Sequence, residues 1–114
     1  MVVCNLYPFA EAVAKGGSFD QCMENVDIGG PCMLRASAKS NQAVICVTNP
    51  TQYKDLIQIM GANGGCTTTE LRVQYAAEAF QHSAKYEAAI ANYMRSQNKS
   101  TGETKETVDP ATLP

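Results

Sequence analysis

Ala43-Val44-Ile45-Cys46-Val47-Thr48 is an apolar, β-branched run closed at once by Asn49-Pro50, and its reading decides the fold. A run this short, apolar at odd and even positions alike, reads as a strand buried on both faces, as in a parallel sheet. Val2-Val3-Cys4-Asn5-Leu6 has the same character and stops as abruptly at Tyr7-Pro8, which predicts a second such strand. Helical stretches alternate with these two runs, so the predicted class is α/β with a parallel sheet. Two strands make a poor sheet alone. The expectation is a partial domain whose remaining strands precede Met1.

Working outward, Pro8 suits the first turn of a helix over roughly 9–14, closed by Gly16-Gly17. Ser18 followed by Gln21 forms a capping-box pattern for a short helix ending near Asn25. Pro31 opens a third helix to about Ser40, and Asn49-Pro50 a fourth through about Met60, ended by Ala62-Asn63-Gly64-Gly65. Thr67-Thr68-Thr69-Glu70 supplies a cap and an early negative charge for the last helix. There Leu71, Tyr75, Ala79, Ser83, Tyr86, Ile90 and Tyr93 recur at three- and four-residue steps, an amphipathic stripe of roughly seven turns. Residues 1–97 are read as the folded part and the polar stretch 98–114 as a linker.

The 114 residues suffice for one domain, and 45% apolar with 18% charged side chains is a globular balance. Nine basic and eleven acidic residues leave a net charge of -2, which argues against a protein that grips nucleic-acid phosphates. No apolar run approaches the roughly 18 residues of a membrane span. The start Met1-Val2-Val3-Cys4 lacks a secretory pattern, so a cytoplasmic protein is expected. The five cysteines are odd in number and scattered, without a C-x-x-C pair. This favours packing over disulfides or a metal, and no metal site is expected.

Three segments could carry chemistry. Asn5-Leu6-Tyr7-Pro8-Phe9 lies at the carboxyl end of a strand, where ligands gather in open α/β sheets; it also reads as a simple strand-to-helix turn with packed aromatics. Asp27-Ile28-Gly29-Gly30-Pro31 places glycines at a helix entrance, open to close approach by a ligand. Residue physics alone favours Asp27 as a cap there. Arg35 and Lys39 share a helix face, which is ordinarily a solvated basic face. His82, the one histidine, lies mid-helix and is read as a packed or capping residue.

These segments, in this order, resemble the cyclohydrolase domain of the bifunctional enzyme that formylates and then cyclises the last purine precursor. The matching residues are Asn5-Leu6-Tyr7-Pro8-Phe9, Asp27-Ile28-Gly29-Gly30-Pro31, Leu34-Arg35-Ala36, Ala38-Lys39, Asn49-Pro50 with Tyr53, and Leu71-Arg72. On the long helix they are Ala79-Phe80, His82, Ala84, Tyr86 and Ala89-Ile90. The likeness covers about residues 2–97. It implies a three-layer parallel-sheet domain of the methylglyoxal-synthase-like type and ring closure of a formamido-imidazole carboxamide ribonucleotide to inosine monophosphate. By match, Lys39 is the principal proton donor/acceptor, with Tyr7 and Asp27 assisting. Cys4, Asn5, Asp27, Ile28 and Gly29 contact the nucleotide, partly through backbone groups.

The same resemblance implies no cofactor for ring closure, 10-formyltetrahydrofolate only for the transformylase domain, and a homodimer in the full-length protein. Asp27 and Lys39 fall near opposite ends of one helix, so their joint action rests on the resemblance and not on spacing. The chain departs from the family's Ala-Lys-Asn-His at Ala38-Lys39-Ser40-Asn41, and Ala36-Ser37-Ala38 replaces the usual three alanines. The family's phosphate-gripping loops and a second catalytic lysine would precede Met1. The chain alone is therefore expected to be inactive. The alternative is a truncated or diverged, non-catalytic interaction module of the same fold.

Overall fold

Val2 pairs with Cys46 and Val3 with Val47 in a two-stranded parallel sheet, formed by β1 (Val2–Val3) and β2 (Cys46–Val47). The computed structural model describes residues 1–100, with side chains through Asn98. Most of the predicted linker, 101–114, lies outside the described residues. The helices are α1 (Phe9–Ala14), α2 (Phe19–Glu24), α3 (Gly29–Lys39), α4 (Tyr53–Ala62) and α5 (Thr69–Ser100). The chain is α/β, as its alternating pattern indicates.

Local chemistry explains most element ends. The backbone N–H of Gln21 donates to Ser18 Oγ while Ser18 N–H donates to Gln21 Oε1, so the capping box of α2 is complete. Gly16 takes φ 72° after α1, a left-handed conformation that costs glycine little. There Gly17 N–H returns to Ala12 O and Gly16 N–H to Val13 O. Asn49 caps a 3-10 turn at Pro50–Gln52 that leads into α4. Thr68 Oγ1 accepts from Leu71 N–H and so caps α5. That helix has 32 residues and spans about 48 Å, reaching three residues past the end expected from its pattern.

β2 is buried on both sides, as its sequence requires. Cys46 faces Leu34 and Ala38 of α3 with Ala76 and Ala79 of α5. Ile45 and Val47 face the other way, onto Leu56 of α4 and Tyr75 of α5. The helix α5 therefore spans the edge between the two layers. β1 departs from expectation: Cys4 is buried, but Val3 is 52% exposed. Its inner face is covered by α3, whereas the cluster with α4 gathers on β2. A separate aromatic group fixes α1. Phe9, 1% exposed, meets Tyr86 edge-on at 6.5 Å and Tyr93 at 5.6 Å. Phe19 stacks on Tyr93 at 6.2 Å.

Candidate active site

Parallel pairing brings the carboxyl ends of β1 and β2 to the same edge of the sheet, which is where α/β proteins hold ligands. From β1 the chain continues through Cys4, Asn5 and Tyr7. Cys4 is spoken for on two sides: its N–H donates to Val47 O at 2.9 Å and its thiol to Gly30 O at 3.5 Å. Burial, then the nearby Asp27 charge and Cys46, push this thiol above its ordinary 9.0. Asn5 is exposed, and its Nδ2 donates to the Tyr53 hydroxyl at 3.1 Å. That bond ties the end of β1 to the first residue of α4. The Tyr7 ring points outward, 55% exposed.

Asp27 organises the approach to α3. Its Oδ1 accepts from Gly30 N–H at 2.8 Å and its Oδ2 from Tyr7 N–H at 3.2 Å. One carboxylate thus caps α3 and pins the β1–α1 turn. The helix begins at Gly29, two residues before Pro31, because this cap satisfies a donor of its first turn. Only glycine at position 30 leaves the Asp27 carboxylate where it is. A Cβ there would fall onto the Asp27 carboxylate, 2.8 Å from its Cγ. At Gly29 a Cβ would meet nothing within 4 Å. Gly29 and Ile28 are exposed beside the Asp27 carboxylate, Ile28 at 75%.

Two residues to which the sequence reading assigned no role hold the two ends of α3. Tyr86 of α5 accepts from Asp27 N–H at 2.7 Å and donates to Asn25 O at 2.7 Å. Burial raises its phenol above the ordinary 10.0 despite the Asp27 hydrogen bond, which acts the other way. Arg72 fastens the other end of α3. Its Nε donates to Asn41 O, Nη2 to Gln42 O and Thr69 Oγ1, and Nη1 to Thr67 O and Oγ1, all between 2.9 and 3.1 Å. Both residues could have been suspected. Tyr86 lies on the inward stripe of α5, where a buried phenol needs a partner. Arg72 follows a run of threonines in the first turn of α5, where hydroxyl and backbone oxygens lie within reach of its fork.

The structure therefore joins Tyr7 with Asp27, and Asn5 with Tyr53. It leaves Lys39 apart. Lys39 is exposed in the last turn of α3, about 15 Å along the axis from the first turn at 1.5 Å per residue. There it complements the negative end of the helix dipole. Arg35 lies over the Phe80 ring at 5.6 Å, so its part of the basic face packs as well as dissolves. His82 is half-buried and lines an open polar cleft of ≈ 310 Å³ at the carboxyl end of β2, with Thr48, Gln52, Glu78 and Lys85. Gln52 bridges the cleft to Glu78. Among the described residues no three His, Cys, Asp or Glu side chains are grouped to hold a metal, and no helix is long and apolar enough to cross a membrane.

The fold is a parallel α/β layer with polar groups at its strand ends, and sequence relatives give its family. Residues 37–112 match the family model described as AICARFT/IMPCHase bienzyme. The bifunctional purine biosynthesis protein PurH of Cutibacterium acnes is 53% identical over 98 residues, covering 86% of this chain and 19% of the relative. PurH of Rhodospirillum rubrum is 46% identical over 97 residues, with 85% of this chain and 18% of the relative covered. A solved structure titled "Crystal structure of ForH" superposes with a TM-score of 0.57 at 38% identity, over 60% of this chain and 38% of its own. The chain belongs to the bifunctional AICARFT/IMPCHase purine-biosynthesis family. It spans about a fifth of the length of the curated relatives it matches.

Proposed function

We propose that this chain supplies one side of a cyclohydrolase site that closes a formamido-imidazole carboxamide ribonucleotide to inosine monophosphate. In that reaction the carboxamide nitrogen bonds to the formyl carbon, and the formyl oxygen leaves as water with one proton from that nitrogen and one from the formamido nitrogen. Catalysis needs the two arms held in attack geometry, stabilisation of the developing oxyanion, and a proton delivered to the leaving oxygen. The observation that carries the reading is the Asp27 carboxylate bonded at once to Tyr7 N–H and Gly30 N–H. It fixes two segments shared with the family at the carboxyl end of β1. Asn5, Ile28 and Gly29 then border the nucleotide, with Cys4 contributing backbone, and Tyr7 and Asp27 assist proton movement; Lys39, at the far end of α3, is assigned as the principal donor/acceptor on the family resemblance alone.

Ring closure as written moves protons and makes no redox change, so no cofactor is assigned to it. In the same reading the two strands belong to a larger three-layer sheet of the methylglyoxal-synthase-like type, in a cytoplasmic, homodimeric protein. The test is a chimera: this chain replaces the matching stretch of the Cutibacterium acnes relative, and inosinate formation is assayed beside the unaltered relative. Retained ring closure that falls at least tenfold in kcat on Lys39→Ala, with little change in KM, supports the assignment. A folded chimera without ring closure would favour a non-catalytic interaction module. Unchanged turnover on Lys39→Ala would remove Lys39 from the mechanism.

A further inference from the structure

We infer that Tyr86 is a positioning residue for this site, setting Asp27 through the backbone of the α2–α3 loop. The inference rests on the cyclohydrolase reading for its kinetic consequence and on geometry alone for its structural one. The Tyr86 hydroxyl is used in both directions, accepting from Asp27 N–H and donating to Asn25 O, each at 2.7 Å. Two bonds from one atom to residues 25 and 27 fix both the height and the tilt of the loop against α5.

Apart from the Asp27 carboxylate, the other hydrogen bonds of this loop are local: Asn25 N–H closes onto Cys22 O, Val26 N–H onto Met23 O and Asn25 Nδ2 onto Gln21 O, all in the preceding turn. The ring itself packs T-shaped against Phe9, so the hydroxyl arrives from a fixed direction. From Asp27 the constraint passes forward without a gap: main chain to carboxylate, then carboxylate to Tyr7 N–H and Gly30 N–H. A change of one oxygen atom on α5 thus reaches both segments that flank the proposed substrate. Phenylalanine at position 86 keeps the ring packing and deletes only this link.

The experiment compares Tyr86→Phe, Asp27→Asn and the double variant, in this chain and in the chimera. In this chain, backbone amide exchange is read at Tyr7, Asp27 and Gly30. Tyr86→Phe is expected to speed exchange at all three while leaving Cys22 and Leu34 unchanged. In the chimera it should lower kcat about ten- to a hundredfold, the size of effect a small misplacement of a reacting group produces. That loss should largely vanish when Asp27 is already asparagine, because two residues acting through one group are not additive. A purely packing role would instead multiply the two losses and spare the Tyr7 and Gly30 amides, which would overturn the inference. A chimera inactive before any substitution would sink the ring-closure reading, and the amide exchange would still decide whether Tyr86 sets Asp27.

Discussion

The Asp27 carboxylate fills the space that a side chain on Gly30 would need: Gly30 N–H donates to Asp27 Oδ1 at 2.8 Å, and a Cβ on Gly30 would sit 2.8 Å from Asp27 Cγ. Absence of a side chain at one residue is therefore the condition for the other's position. Gly30→Ala should expel the carboxylate, losing the α3 cap and the bond to Tyr7 N–H together. Loss of such a cap costs about 0.5–2 kcal/mol. Thermal unfolding should show that loss, with Gly29→Ala as a control that changes little. Equal stability in the two variants would contradict the geometry.

Arg72 should resist conservative replacement. Its five hydrogen bonds reach three backbone carbonyls and two threonine hydroxyls from one planar group. A lysine ammonium offers three donors around a point and cannot match that fork. Arg72→Lys should cost about 2–3 kcal/mol, the scale of losing charge-assisted bonds to partly buried carbonyls. Urea denaturation with an unchanged m-value would measure it. A loss below about 0.5 kcal/mol, the range of an ordinary surface substitution, would show the fork to be dispensable.

Phe9 anchors α1 by packing alone. It is nearly fully buried against Tyr86 and Tyr93, and Phe9→Ala should cost about 3–5 kcal/mol. Phe9→Leu keeps most of the volume and should cost less. Near-ultraviolet circular dichroism should report the change in the environment of the two tyrosines. An unaltered signal in Phe9→Ala would mean that the cluster does not persist in solution.

Stability should fall on the alkaline side. Burial raises the Cys4 thiol above 9.0 and the Tyr75 and Tyr86 phenols above 10.0. Each group binds its proton more tightly folded than unfolded, so its stabilising contribution is complete below the unfolded value. That contribution is lost as pH rises through the raised folded one. Melting temperature should therefore hold through neutral pH and decline from about pH 9 upward. Tyr86→Phe should make the decline shallower above about pH 10. A profile flat to pH 11 would contradict the burial of these groups.

Features set by neighbours in sequence are legible in the sequence alone. Ser18 with Gln21, Asn49 before Pro50, and Gly16 after α1 each act within four residues, and each appears as read. The burial of β2 on both faces was equally plain, because Ile45, Cys46 and Val47 are all apolar. Val3 was misread for the converse reason: its exposure depends on which helix covers β1, and no local period encodes that. The corner at Asp27 was half legible. Its role as a cap followed from residue type, but its hold on Tyr7 and its tether to Tyr86 join segments remote in the chain. Lys39 entered through family likeness, and helix geometry sets it a full helix length from the Asp27 end of α3.

The bond between Tyr86 and Asp27 spans 59 residues. During synthesis Asp27 leaves the ribosome long before its tether exists, and closing a loop of that length costs on the order of 3–4 kcal/mol in chain entropy. The capping bonds of α2 and α3 join neighbours in sequence and are available as those residues emerge. The corner that carries the proposed chemistry cannot form then, since it waits for the middle of α5. A nascent chain halted before Tyr86 would hold the residues of the site without its shape, so the site is completed only near the end of this segment's synthesis.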